Sequence, residues 1–229
     1  MFPTGVIPAG ATSLVVWSPD LDWASASVTT WDVTIDTPSG AHGSGQLRST
    51  GFGPEFTRTD DGPDVPVPHT VQAVSVLGES HAADTTIIQV GKNNLDQDAD
   101  SAPGVVAAHD RMVWHLVPLH RQYLILGQHQ NTGEPAGSAL RDRIDYVNSQ
   151  LQSRHGALFV DVEEWITSGQ IWTDTATTPT SEDSTQAALG NKPPSLSMDD
   201  KHWNTTGSQG LIVLIKRQLS TLGWASFSL

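Results

Sequence analysis

Two textures of apolar patterning divide the chain. Up to about residue 82 the apolar runs are short and alternate with polar residues, as in Trp31, Val33 and Ile35. That period of two predicts half-buried strands, and Ser13–Trp17 reads as another. Ser39-Gly40, Gly43-Ser44-Gly45 and Phe52-Gly53-Pro54 read as turns between them, and Asp60-Asp61-Gly62 as a hairpin after Phe56–Thr59. The expectation for residues 1–82 is a small all-β module, a sandwich or barrel.

From residue 83 to 229 the pattern changes period. Thr85–Val90, Tyr123–Leu126 and Ala157–Val162 each centre on consecutive apolar residues, as strands buried on both faces do. Between them lie helical spacings. Pro103–Leu116 carries Val106, His109 or Asp110, Val113 and Leu116 along one side. Leu140, Ile144, Val147 and Leu151 recur at i, i+4, i+7 and i+11 and stop at Gly156. A last helix begins at Thr205-Thr206-Gly207, presents Leu211, Leu214, Ile215, Leu219 and Leu222, and ends at Gly223. Thr173–Pro194, rich in Thr, Ser and Pro, reads as a long loop. Strand and helix in alternation predict βαβ units, hence an α/β domain with a parallel sheet. Ligands in such sheets bind at the carboxyl ends of the strands.

Charge narrows the partners. Twelve basic residues against 25 acidic ones give a net charge of −13, which argues against nucleic acid or an anionic membrane surface. No run approaches the ~18 apolar residues of a membrane span, and Met1–Pro8 lacks the basic and apolar regions of a signal peptide. A soluble protein is expected. With no cysteine, neither disulfides nor thiolate metal sites are available, and the compartment stays open.

The chemistry concentrates in two places. In Asp199-Asp200-Lys201-His202 a carboxylate precedes a histidine by three residues, just before a helix start. That spacing lets Asp199 hold the imidazole of His202 in one tautomer, so that the other ring nitrogen takes a proton from a hydroxyl. Gly91-Lys92-Asn93-Asn94 closes the first buried strand; Gly91 permits close backbone approach, and Asn93 can donate its amide to an oxyanion. An incidental pair in a helix-entry loop and an ordinary turn are the plain alternatives. Gln128-His129-Gln130-Asn131 follows the second strand, so Gln128 and His129 are candidates for lining a substrate pocket. Asp96, Asp98 and Asp100 alternate without the glycine and glutamate of a calcium loop. His109, His115 and His120 lack metal-ligand spacing, and no cofactor or metal is expected. Trp17, Trp23 and Trp31 fit a small β core better than a sugar-stacking surface. Asn204-Thr205-Thr206 is a glycosylation sequon that also suits a helix cap.

These two motifs resemble signatures of the SGNH (GDSL-type) hydrolases. Ile87–Asn94 is similar to the family's Gly-x-Asn-Asp signature, with Asn94 in place of Asp, and Asp199–His202 to its Asp-x-x-His signature. The resemblance covers about residues 84–224. It implies an α/β/α sandwich, hydrolysis of acyl esters without a metal, and catalytic roles for Asn93, Asp199 and His202. Acylated carbohydrate or cell-wall material is the implied substrate. The family's opening Gly-Asp-Ser strand has no counterpart ahead of these motifs. Val76-Leu77-Gly78-Glu79-Ser80 mimics it, but Ser80 stands too close to Gly91 for the intervening elements. The expectation is therefore an incomplete sandwich preceded by a β module of the kind inserted in some bacterial and phage relatives. The nucleophilic serine would lie upstream or on another chain. A sheet lacking its first strands has an open edge, which predicts a partner chain or an oligomer. The alternative is a non-catalytic virion or surface protein that retains a degenerate SGNH fold.

Overall fold

The computed structural model describes residues 6–7, 13–15, 30–36, 42–50, 53–59, 63–66, 73–76, 80–81, 83–97, 101–116 and 121–225. The chain divides into two compact units, Met1–Ala83 and Asp84–Leu229.

The first unit is built of strands: β1 (Val6–Ile7), β2 (Ser13–Val15), β3 (Thr30–Asp36), β4 (His42–Thr50), β5 (Gly53–Arg58), β6 (Val65–Pro66) and β7 (Ala73–Ser75). Five of them form an antiparallel sheet in the order β2-β5-β4-β3-β7, while β1 pairs with β6. The alternation in β3 does what its period requires: Val33 and Ile35 are buried and Asp32 is exposed. Two expected turns are strand instead. Gly43-Ser44-Gly45 lies inside β4, and Gly53-Pro54 opens β5 opposite Ser49 and Thr50. Glycine is needed at 45 for room, because a Cβ there would stand 2.4 Å from Cζ of the fully buried Phe56. Ser39-Gly40, Asp60-Asp61-Gly62, Trp17 and Trp23 lie outside the described residues.

The second unit carries β8 (Thr86–Ile88), α1 (Lys92–Gln97), α2 (Ser101–Trp114), β9 (Tyr123–Leu126), α3 (Ala139–His155), β10 (Phe159–Val160), α4 (Val162–Thr167), α5 (Gln170–Thr175), α6 (Ser181–Ala188) and α7 (Thr205–Thr221). Its three strands form a parallel sheet in the order β8-β9-β10, with Ile87 opposite Leu124 and Val160 opposite Leu126. The unit is thus mixed α/β with a parallel sheet, as the alternation of periods predicts.

Helices cover both faces of this sheet. On one, Ile88, Ile125 and Phe159 join Leu95 of α1, Val105, Val106 and Val113 of α2, and Ile144, Val147 and Leu151 of α3. The last three are fully buried, each contributing roughly 1.5–3 kcal/mol through burial. On the other face Leu124, Leu126 and Val160 meet Trp165 and Ile166 of α4, Ile171 of α5, Ala187 of α6 and Leu211 of α7. Coverage of that face stops short of β8, where Ile87 is 40 % exposed beside a fully buried Leu124.

Two further expectations are corrected. Asp161 is not a strand residue; its carboxylate accepts the N–H of Glu164 at 2.9 Å and caps α4. The stretch Thr173–Pro194 is not one long loop, since it holds the end of α5 and all of α6. Thr180 and Asp183 form a reciprocal capping box at the start of α6, the device that stops unpaired N–H groups from fraying a helix end.

Candidate functional site

The site lies at the carboxyl end of the parallel sheet. After β8 the chain reverses at Gly91, whose φ of +92° is readily open only to glycine. A Cβ there would also stand 2.6 Å from Cγ1 of Val105, so this turn rests directly on α2. The Gly91 carbonyl accepts the N–H groups of Asn94 and Leu95 at 3.0 and 3.2 Å, and α1 begins. Leu95 is buried in the core, while Asn93 on the same short helix is exposed. Arg143 of α3 donates to the Leu95 carbonyl at 2.6 Å and anchors α1 from the other side. Gly91 and Asn93 share a cavity of about 400 Å³ with Gln128, His129, His202 and Trp203.

Asp199 and His202 meet as their spacing predicts. Oδ2 of Asp199 lies 2.8 Å from Nδ1 of His202, and Oδ1 accepts the backbone N–H groups of Lys201 and His202 at 2.8 and 2.7 Å. The bond from the His202 ring, followed by those two backbone donors, holds the carboxyl well below the usual carboxylate range. With Nδ1–H turned to Asp199, Nε2 of His202 is left as the basic atom. Among the described residues no hydroxyl bonds to it. Both side chains are exposed, His202 by 61 % and Asp199 by 45 %.

The pair is held through its backbone. All four carbonyls from Asp199 to His202 are bound by donors from other segments. Those of Asp199 and His202 accept the ammonium of Lys192, each at 2.7 Å. That of Asp200 accepts the N–H of Thr132 at 2.9 Å. That of Lys201 accepts Nε2–H of His129 at 3.0 Å. Met198 adds its N–H to the His202 carbonyl.

Gln128 and His129 line the cavity as buried wall residues with their donors already engaged: Gln128 Nε2 bonds to the Val90 carbonyl at 2.9 Å and His129 to Lys201. Nδ1 of His129 and Oε1 of Gln128 have no partner. Burial, reinforced by the charge of Lys92, lowers the pKa of His129 to about 3, so its ring is neutral. Burial likewise lowers Lys192 to about 8, against the pull of Asp199 and Asp200. Three of the chain's four lysines, at 92, 192 and 201, stand at this site in a protein of net charge −13.

Ser80 is an exposed residue of the first unit. His109 is buried in α2 with Nδ1 donating to the Val105 carbonyl. Asn204 caps α7, accepting the Gly207 N–H at 2.9 Å. No cluster of His, Asp and Glu with the geometry of a metal site occurs among the described residues; His120, Asp98 and Asp100 lie outside them. The residue that sequence reasoning missed is Lys192, which sits in a stretch read as loop. A charged residue between Asn191 and Pro193-Pro194 gives no sign of being fully buried.

Comparison of the chain with models of protein families, with curated proteins and with solved structures gives no match, so the reading of this site rests on its geometry.

Proposed function

We propose that the second unit is the acid–base and oxyanion half of an SGNH-like ester hydrolase, an α/β/α sandwich whose nucleophilic serine comes from a polypeptide segment outside this sequence. One observation carries the reading: His202, its Nδ1 facing Asp199, lines one cavity with Gly91 and Asn93 at the carboxyl end of the sheet. In the reaction the serine hydroxyl gives its proton to Nε2 of His202 as its oxygen attacks the ester carbonyl. Asp199 steadies the imidazolium that results. The carbonyl oxygen becomes an oxyanion and accepts the amide N–H of Asn93. Collapse expels the alcohol, which takes the proton back from His202. Water activated by the same imidazole then releases the acid. The lysine charges that depress His129 also favour negative charge in the cavity. Acylated carbohydrate is the proposed substrate.

A second reading is favoured by β8, which among the described residues pairs with β9 alone: such a strand edge suits a non-catalytic protein that binds a partner there. Hydrolysis of p-nitrophenyl acetate separates the two. The chain is assayed alone and together with the polypeptide encoded immediately upstream of it. Activity of the complex that His202→Ala abolishes supports the hydrolase. Activity of the chain alone that Ser80→Ala abolishes overturns the missing-serine account. Inactivity of both preparations favours the binding protein.

A further inference from the structure

Asp199 and His202 are both exposed, by 45 % and 61 %, so packing of their own side chains does not fix them. Their order must come from the backbone beneath. There the Lys192 side chain is fully buried, with Nζ 2.7 Å from the carbonyl oxygens of both residues and 5.8 Å from the centre of the Trp203 ring. Removing an ammonium from water costs several kcal/mol, and an apolar side chain of the same length would fill the space without that cost. The cost is met because a compact cation with several donors can draw two carbonyls to one point. Those carbonyls bracket the four-residue turn that sets the imidazole against the carboxylate.

We propose that Lys192 is the positioning residue of the Asp199–His202 pair: its ammonium ties the two ends of their turn together and thereby keeps His202 in the Nδ1–H tautomer. The role in catalysis rests on the hydrolase reading; the effect on His202 does not. Lys192 itself is placed by its neighbours. The Asn191 side chain donates to the carbonyl of Glu134 and to Gln186 and accepts Arg141, and the Lys192 carbonyl accepts the Thr132 hydroxyl at 2.8 Å. The charged and titratable groups facing Lys192 are Asp199 and Asp200 from the turn and His129 from the segment after β9.

The test compares the full chain with Lys192→Met by nitrogen-15 NMR of the imidazole of His202, which reports the tautomer without any ester or partner. Wild type is expected to show the Nδ1–H form alone, and the variant, with its fold retained, a mixture of both. A folded variant with the wild-type tautomer overturns the proposal. If Lys192→Met does not fold, the wild-type chain decides. Raising the pH through the titration of Lys192 near 8 replaces an ammonium by a weaker donor. The Nδ1–H share of His202 must then fall with the midpoint observed at Lys192 itself; a constant share overturns the proposal. In an ester-hydrolysing complex the same Met variant is expected to lose at least 10-fold in kcat with KM within twofold. A mixed tautomer with unchanged kcat overturns the catalytic role. Absence of any hydrolysis in wild type bears on the hydrolase reading alone.

Discussion

Asp199 grips His202 twice, accepting its backbone N–H at 2.7 Å through Oδ1 and facing its Nδ1 at 2.8 Å through Oδ2. The one carboxylate therefore reaches the backbone and the ring of His202 at once. Asp199→Asn keeps the shape but presents one acceptor oxygen in place of two. On the proposed hydrolase function, kcat of the reconstituted complex should fall about 10⁴-fold, the scale of losing the correct tautomer in such relays. Asn93→Ala, on an exposed helix face, should cost about 10²–10³-fold with stability unchanged. Steady-state kinetics alongside thermal melting checks both.

At Gly91 the backbone conformation and the contact with Val105 oppose any side chain. Gly91→Ala should destabilise the protein by about 2–4 kcal/mol, combining left-handed strain with overpacking. Adding Val105→Ala removes the two closest contacts, at 2.6 and 2.7 Å, and leaves the strain. In urea denaturation the second change should then cost less in the Gly91→Ala background than in wild type. Equal costs in the two backgrounds would show that no clash exists.

His129 makes stability depend on pH. Its folded pKa of about 3 lies below the ordinary value of 6.5, so below 6.5 the unfolded chain takes up a proton that the folded one refuses. The stabilisation is complete above pH 6.5 and is lost as pH falls from there toward 3, by about 1.4 kcal/mol per unit. His109 and His155, also lowered by burial, act in the same direction. His129→Gln should therefore reduce, without abolishing, the slope of unfolding free energy between pH 4.5 and 6.5. An unaltered slope would remove His129 from this account.

Asp183 ties α6 to the turn that leads into the site. Its buried carboxylate accepts the N–H and O–H of Thr180 and of Ser195, at 2.7–2.9 Å. Burial alone would raise its pKa, but these donors prevail and hold it below the usual range. Its contribution is present above the ordinary carboxylate pKa of about 4 and is lost as pH falls below that. Asp183→Asn should cost about 2–4 kcal/mol at pH 7 and flatten the acid limb of stability. Denaturant titrations at pH 7 and pH 3 measure both effects.

Much of the second unit is legible in the sequence because its signals are local. The spacing of Ile144, Val147 and Leu151 needs only α3 to express it, and the Asp199–His202 spacing needs only a turn. What was hidden depends on distant segments. Gly45 resembles a turn glycine until Phe56 is placed over it. Helix α6 hides in a polar stretch because, of its eight residues, only Asp183 and Ala187 are buried, and Ala187 shows its purpose only against the core of α4 and α5. Lys192 looks like any surface lysine, and its work is done on carbonyls, which every residue carries and no sequence pattern marks.

The order β8-β9-β10 follows the order of the chain, which gives the site a history as well as a shape. Each strand pairs with the one before it in the chain, so the Gly91–Asn93 end of the cavity rests on α2, α3 and the first two strands. His202 comes more than a hundred residues later, and its loop is secured only when Lys192 has been buried and α7 docked. The two walls of the cavity are therefore joined by contacts of long sequence separation, the kind whose loop-closure cost slows folding.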